Sequence, residues 1–183
     1  AFLHKRGIEN KIFDTTFSSK DEMKKYLVNE KPYYIAIYVN LMTKLNVLEI
    51  IRFIKSTNEL KNSKIILGGP EVRYNATDLL EHGADFVVIG EGEETTLELI
   101  KKLTLKNESN FKQVNGIGFK DENEKFIFTP ERPLINIDEL PLPNRSGIDI
   151  SKYQGTWKRH HNLDAISVST MRGCPYTCRW CSR

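Results

Sequence analysis

Three short runs of β-branched and aromatic residues constrain the fold of this chain more than any other feature. They occupy residues 34–39, 64–67 and 86–89, and a shorter candidate of the same kind lies at 11–14. Apolar runs of this length without alternating polar residues are typical of parallel strands that are covered on both faces. The chain is therefore predicted to contain a mostly parallel β-sheet with helices on both sides.

The segments between these runs carry helical patterns. Ser19 and Glu22 have the spacing of a capping box, which predicts the start of a helix. Apolar residues then recur at helical intervals in three sets, which are Met23, Tyr26 and Leu27; Val47, Ile50, Ile51 and Ile54; and Leu97, Ile100 and Leu103. Leu79 and Leu80 lead to His82-Gly83, which predicts the end of a helix. The alternation predicts a doubly wound α/β domain over residues 1–105, in which the parallel strands end at one common edge.

The pattern changes after residue 105. Two apolar segments at 116–119 and 126–128 flank the polar residues 121–124, which predicts a β-hairpin. The sequence Leu-Pro-Leu-Pro at 140–143 indicates an extended linker, so hairpin and linker together are predicted to fill residues 106–162. Residues 165–170 alternate between apolar and polar side chains and are predicted to form the strand that opens a third region, 163–183.

Charge and composition exclude several classes of partner. The formal net charge is only +3, and no apolar run approaches the ~20 residues that span a bilayer, so neither nucleic acid nor a membrane is an expected partner. All three cysteines lie within the last ten residues, whereas a disulfide framework would scatter them. We therefore expect a cytoplasmic protein whose cysteines serve chemistry rather than cross-linking.

The three cysteines Cys174, Cys178 and Cys181 have the spacing C-x3-C-x2-C. Three thiolates from one loop can bind a [4Fe–4S] cluster and leave one iron open, because such a cluster normally takes four thiolates. A structural zinc ion is the alternative, and it requires a fourth ligand that His160 or His161 could supply. Three unligated thiols are the remaining interpretation. The spacing favours the iron–sulfur cluster.

Two glycine-containing loops stand where predicted strands end and helices begin. They are Gly68-Gly69-Pro70 and Gly90-Glu91-Gly92, and glycines at such turns let the backbone approach a ligand closely. Neither loop is a nucleotide-binding fingerprint. Glu91, together with Glu93 and Glu94, would repel a phosphate group. Tight turns without any ligand are the second interpretation of both loops.

The tail Arg-Gly-Cys-Pro-Tyr-x-Cys-x-Trp-Cys-Ser resembles the cluster loop of radical S-adenosylmethionine (SAM) enzymes. The resemblance implies that Cys174, Cys178 and Cys181 bind a [4Fe–4S] cluster whose open iron chelates SAM, and that Trp180 lies near the adenine of SAM. It further implies that an external electron donor such as flavodoxin or ferredoxin reduces the cluster. SAM is then cleaved to a 5′-deoxyadenosyl radical that removes hydrogen from a small-molecule substrate.

The order of motifs over nearly the whole chain resembles the cobalamin-binding radical SAM family. The motifs are Ile-Ile-Leu-Gly-Gly-Pro, Asp-Phe-Val-Val-Ile-Gly-Glu-Gly-Glu, the hairpin, Leu-Pro-Leu-Pro-Asn-Arg and the cysteine loop. In that family a Rossmann-like domain of the flavodoxin or cobalamin-binding type holds cobalamin at the carboxyl edge of its sheet. The resemblance implies a set of residues near the corrinoid, which are Asn40, Gly68, Gly69, Pro70, Gly90, Glu91 and Gly92.

Two departures from the family pattern shape the expectations. The D-x-H-x-x-G signature that supplies a histidine ligand to cobalt is absent, so cobalamin is expected without a protein histidine on the metal. Family members begin one strand earlier, so we expect the first strand to be missing. The chain would then be an N-terminal piece of a longer protein, ending just after the cysteines and inactive by itself.

The reaction of the longer protein is expected to be methyl transfer or an oxidative cyclisation such as that of the anaerobic magnesium-protoporphyrin monomethyl ester cyclase. The alternative from another class is a non-catalytic α/β binding module with a zinc-stabilised cysteine tail.

Overall fold

A five-stranded sheet in the order β1-β2-β3-β4-β5 forms the centre of the computed structural model, which describes residues 1–105, 110–169, 171–174, 176, 178 and 179. The helices are α1 (Phe2–Lys5), α2 (Lys20–Glu30), α3 (Lys44–Ser56), α4 (Pro70–Glu81), α5 (Gly92–Thr104) and α6 (Ile150–His161). The strands are β1 (Tyr34–Tyr38), β2 (Lys64–Gly68), β3 (Phe86–Val88), β4 (Ile117–Lys120) and β5 (Phe126–Phe128).

The three long apolar runs form the parallel part of this sheet. β1 pairs with β2 so that Ile35 lies opposite Ile65, and β2 pairs with β3 so that Ile66 lies opposite Phe86. All three residues of β3 are buried, as is expected of a strand covered on both faces. The predicted mostly parallel sheet is confirmed.

Successive residues of β2 divide the core between the two faces of the sheet. Ile65 and Leu67 pack into a cluster with residues of α2, α3 and α4, whereas Ile66 packs into a second cluster with residues of α5 and β4. Neighbouring side chains of a strand point to opposite faces, so one apolar run supplies both cores. This arrangement confirms the doubly wound α/β prediction.

The predicted helix starts and ends also appear in the structure. The Ser19 side chain accepts a hydrogen bond from the Glu22 N–H, and the Glu22 carboxylate accepts one from the Ser19 N–H, which completes the capping box of α2. Pro70 is at the first position of α4, where its missing N–H is not needed. After α4 the chain turns at Gly83, whose φ of +106° favours glycine.

The predicted hairpin forms, and it extends the sheet. β4 pairs antiparallel with β3, with Gly118 opposite Val87, and β5 pairs antiparallel with β4. Its turn is closed by Asp121, whose carboxylate accepts hydrogen bonds from the N–H groups of Asn123 and Lys125 at 2.9 Å each. The sheet therefore contains strands from both sides of residue 105, where the sequence pattern changes.

The strand predicted at 11–14 is wrong, because this segment pairs with no strand. It is irregular and is held by side chains: the Phe13 ring lies 4.8 Å from the Tyr26 ring, and the Asp14 carboxylate accepts a hydrogen bond from the Tyr153 hydroxyl. Within the described residues, the edge of β1 that faces away from β2 has no strand partner. A short apolar run needs such a partner before it becomes a strand.

The strand predicted at 165–170 is also wrong for the residues described, 165–169, which are irregular; Thr170 lies outside the described residues. Ile166 and Val168 are 46% and 69% exposed, so their alternation faces no apolar surface.

Upstream, the region predicted as linker contains the unpredicted helix α6, which begins where the Asp149 carboxylate accepts a hydrogen bond from the Ser151 N–H.

Candidate functional site

A depression of about 640 Å³ lies at the carboxyl ends of the parallel strands. Five of the seven residues predicted near the corrinoid line it, which are Gly68, Gly69, Gly90, Glu91 and Gly92. Its wall also includes Tyr38 from the end of β1 and Arg172 from the cysteine loop. The volume lies within the ~300–1,000 Å³ of small-molecule sites.

The glycines of the depression differ in what their missing side chain leaves open. A Cβ added at Gly68 would meet nothing within 4 Å, so this position offers space for a ligand. A Cβ at Gly69 would lie 2.4 Å from the Val39 carbonyl oxygen, and the Gly69 φ of +115° is itself unfavourable for other residues. Gly68 is therefore an open part of the wall, whereas Gly69 is required by the packing of the fold.

The other two predicted residues, Asn40 and Pro70, do not line this depression. The Asn40 carboxamide oxygen accepts a hydrogen bond from the Thr43 N–H at 3.0 Å, and the Thr43 hydroxyl oxygen accepts one from the Asn40 N–H at 3.1 Å. These bonds close the turn that leads from β1 into α3. Asn40 thus has a local structural task, and Pro70 has one at the start of α4.

Two glutamates at the start of α5 form the charged wall of the depression. The guanidinium of Arg172 donates to both carboxylate oxygens of Glu93 at 2.8 Å each, and its Nε lies 3.0 Å from Oε1 of Glu91. The hydrogen bond from Arg172 holds the pKa of the Glu93 carboxyl below its usual value, so Glu93 is an anion at neutral pH. The second oxygen of Glu91 accepts the Ile135 N–H at 2.6 Å.

Sequence reasoning missed this arrangement, because it treated Glu91 and Glu93 only as groups that would repel a phosphate. The signal available in the sequence was weak: an arginine two residues before the first cysteine, and acidic residues in a predicted helix start. Only the fold brings residues 79 positions apart into contact.

The cysteine loop contributes Arg172 to the wall of the depression and so lies beside it. Cys174 and Cys178 are exposed and free, whereas Cys181 and Trp180 lie outside the described residues. Cys174 follows Arg172 by two positions, a span of at most about 7 Å between the two Cα atoms. In the part of the chain that the structure describes, no three His, Cys, Asp or Glu side chains converge on a point where a metal ion would fit.

None of the four histidines lines the depression. His4 is in α1, His160 and His161 end α6, and the His82 ring is hydrogen-bonded to the Asp78 carbonyl oxygen at 2.7 Å. The wall is open at Gly68, where an added Cβ would meet nothing within 4 Å, and the lining residues include no imidazole. Over the described residues, no helix is both long and apolar enough to cross a membrane.

Named relatives match most of this chain but only part of their own length. The chain is 31% identical over 172 residues to an uncharacterized methyltransferase of Pyrococcus horikoshii, a match that covers 92% of this chain and 35% of the relative. It is 32% identical over 126 residues to the anaerobic magnesium-protoporphyrin IX monomethyl ester cyclase of Synechocystis, covering 68% of this chain and 24% of that protein. The chain thus spans about a quarter to a third of these relatives.

A solved structure shares the fold. The cobalamin-dependent S-adenosylmethionine radical enzyme OxsB, determined with aqua-cobalamin bound, superimposes with a TM-score of 0.64 at 24% identity, over 73% of this chain and 19% of OxsB. The family model of the B12 binding domain matches residues 1–100, more than half of the chain and all three of its parallel strands. The chain therefore belongs to the B12-binding domain family.

Proposed function

We propose that this chain is the cobalamin-binding, N-terminal part of a radical SAM enzyme. The observation that carries the proposal is the depression at the carboxyl ends of β1, β2 and β3, whose wall is open at Gly68 and which Arg172 joins to the cysteine loop. The family match and the names of the relatives favour this function over a non-catalytic module with a zinc-stabilised tail.

The residues divide into two groups in this proposal. Gly68 and the Gly90-Glu91-Gly92 loop would face the corrinoid, without a protein histidine on cobalt. Cys174, Cys178 and Cys181 would hold a [4Fe–4S] cluster, and Trp180 would lie near the adenine of SAM. When bound, the cluster supplies the electron that cleaves SAM, and that electron would come from an external donor of the flavodoxin or ferredoxin type.

The reaction of the longer protein would be methyl transfer or oxidative cyclisation, because one relative is named a methyltransferase and another a cyclase. The substrate would be a small molecule. Its contacts would lie in a catalytic barrel that follows the cysteine loop, so the chain by itself would not turn over a substrate.

Titration of the full-length enzyme with hydroxocobalamin, followed by its visible spectrum, tests the corrinoid part of the proposal. Gly68→Val would place a β-branched side chain in the open space of the depression and should weaken the binding of hydroxocobalamin at least tenfold. The fold should remain intact, because Gly68 is at the end of β2 and valine is common in strands. Gly155→Val is the matched control, since a Cβ there also meets nothing within 4 Å but projects from α6. Absence of binding by the wild-type enzyme would refute the proposal.

Anaerobic reconstitution with iron and sulfide tests the cluster part. The wild-type enzyme should take up one [4Fe–4S] cluster, and the triple variant Cys174→Ala, Cys178→Ala, Cys181→Ala should lose its absorption and its EPR signal. A triple variant that keeps the full signal would place the cluster on other ligands. Zinc bound at one equivalent, with no iron taken up, would support the binding module instead.

A further inference from the structure

Arg172 joins the cysteine loop to the start of α5 through a specific contact with Glu91 and Glu93, which we call the dock. Two guanidinium nitrogens of Arg172 bind the two oxygens of Glu93, and a third nitrogen pairs with Glu91. Such a fork-to-fork arrangement fixes the orientation of the guanidinium as well as its distance, which a lysine at the same position cannot do. All three side chains are partly shielded from water, with Arg172 36%, Glu91 22% and Glu93 27% exposed.

The start of α5 is suited to receive this arginine. Two carboxylates beside one another repel, although the positive end of the helix dipole favours each of them. A guanidinium between Glu91 and Glu93 removes that repulsion, so the pair accepts a cation from elsewhere in the chain. Glu91 also holds the linker through the Ile135 N–H, which keeps its carboxylate in position when Arg172 approaches.

A second arginine uses the same helix for a different segment. Arg132 donates to the Thr95 hydroxyl at 3.0 Å and pairs with Glu98. The segment after the hairpin therefore binds near the middle of α5, and the cysteine loop binds at the first turn of α5. The arginine at the first turn is the one that also lines the depression.

We infer that Arg172 is a positioning residue that docks the cysteine loop on Glu91 and Glu93 and thereby sets the distance between the metal centre of the loop and the corrinoid depression. The short separation from Arg172 to Cys174 makes this possible, since docking the arginine limits where the first thiolate can stand. Gly173, with φ of +78°, provides the turn between them. The inference rests on the proposed function for what the two sites hold, whereas the dock itself is a property of the apo protein.

Chymotryptic cleavage after Tyr176 in the apo full-length protein tests the dock without any cofactor. Arg172→Lys and Glu93→Gln should each speed this cleavage by roughly tenfold, the factor that corresponds to about 1.4 kcal/mol of lost docking. Arg179→Lys, an equally conservative change in the same loop, should leave the rate within twofold. Equal rates for Arg172→Lys and wild type would overturn the inference.

EPR of the loaded full-length enzyme tests the distance. With cob(II)alamin and the reduced cluster both present, their dipolar coupling should be sharply defined in wild type and broadened in Arg172→Lys. The double exchange Arg172→Glu with Glu93→Arg should restore part of the coupling that Arg172→Glu alone removes, an outcome that a merely destabilised fold would not give. A coupling unchanged in Arg172→Glu would refute the inference. If the wild-type enzyme takes up neither cobalamin nor the cluster, the proposed function fails, and the cleavage rates still test whether Arg172 holds the cysteine loop on α5.

Discussion

Replacing Gly69 with alanine should destabilise the fold, although the change adds a single methyl group. The new Cβ would stand 2.4 Å from the Val39 carbonyl oxygen, and Gly69 has φ +115° and ψ 176°, a region that only glycine adopts readily. The backbone strain costs of order 1–3 kcal/mol and the overpacking about as much again, so the loss should be at least about 2 kcal/mol. The Val39 oxygen also accepts the Glu71 N–H at 3.4 Å, so moving it would disturb the start of α4.

Gly68→Ala is the matched control, because the neighbouring glycine has open space where its Cβ would be. Its free energy of unfolding should stay within about 0.5 kcal/mol of wild type. Urea denaturation followed by circular dichroism measures both variants, and Gly69→Ala should lower the midpoint without changing the slope. If Gly69→Ala is as stable as Gly68→Ala, then the contact with Val39 does not constrain this turn, and the reasoning is refuted.

Three further predictions concern the helix starts and the attachment of α6. Ser19→Ala removes the side-chain cap of α2 and should lower the free energy of unfolding by about 1 kcal/mol in urea denaturation, with Ser19→Asp close to wild type. Tyr153→Phe removes the hydroxyl that donates to Asp14 and should cost roughly 1 kcal/mol, seen also as faster proteolysis within α6; an unchanged proteolysis rate would contradict this attachment. The hydrogen bond from Tyr153 lowers the pKa of Asp14, so its contribution is fully present above the ordinary aspartate pKa and is lost as the pH falls through the lower folded value. Unfolding midpoints of wild type and Tyr153→Phe should therefore converge as the pH is lowered, and a difference that stays constant as the pH falls would contradict the assignment.

The parallel sheet could be predicted because each of its strands carries a complete local signal. In β2, Ile65, Ile66 and Leu67 are all apolar, and the structure buries them on alternating faces against two helical layers. No knowledge of the partner elements was needed, since a run apolar on both faces fits few positions other than the centre of a layered α/β domain. The capping box of α2 is local in the same sense, because its four bonding groups lie within four residues.

The predictions that were wrong concern segments whose secondary structure depends on residues far away in the sequence. Residues 11–14 resemble a strand, but the ring of Tyr26 and the hydroxyl of Tyr153 hold them in place of a neighbouring strand. Helix α6 was missed because Gly155 and Thr156 weaken its helical pattern, although the Asp149 cap was visible in the sequence. Since Tyr153 lies in α6, both errors concern the same contact, which joins residues 139 positions apart.

The candidate site shows why residue type alone could not assign its members. Gly68 and Gly69 are identical and adjacent, yet one faces open space and the other faces a backbone oxygen, because successive positions at the end of a strand face different neighbours. Glu91 and Glu93 were interpreted from their charge as excluding an anionic ligand, and that argument still holds for a phosphate. It did not include the cation that the chain itself supplies, since Arg172 reaches them only after the hairpin and α6 have brought the chain back to the carboxyl edge of the sheet. The acidic helix start is therefore better explained as a surface that binds the cysteine loop than as a defect in a nucleotide site.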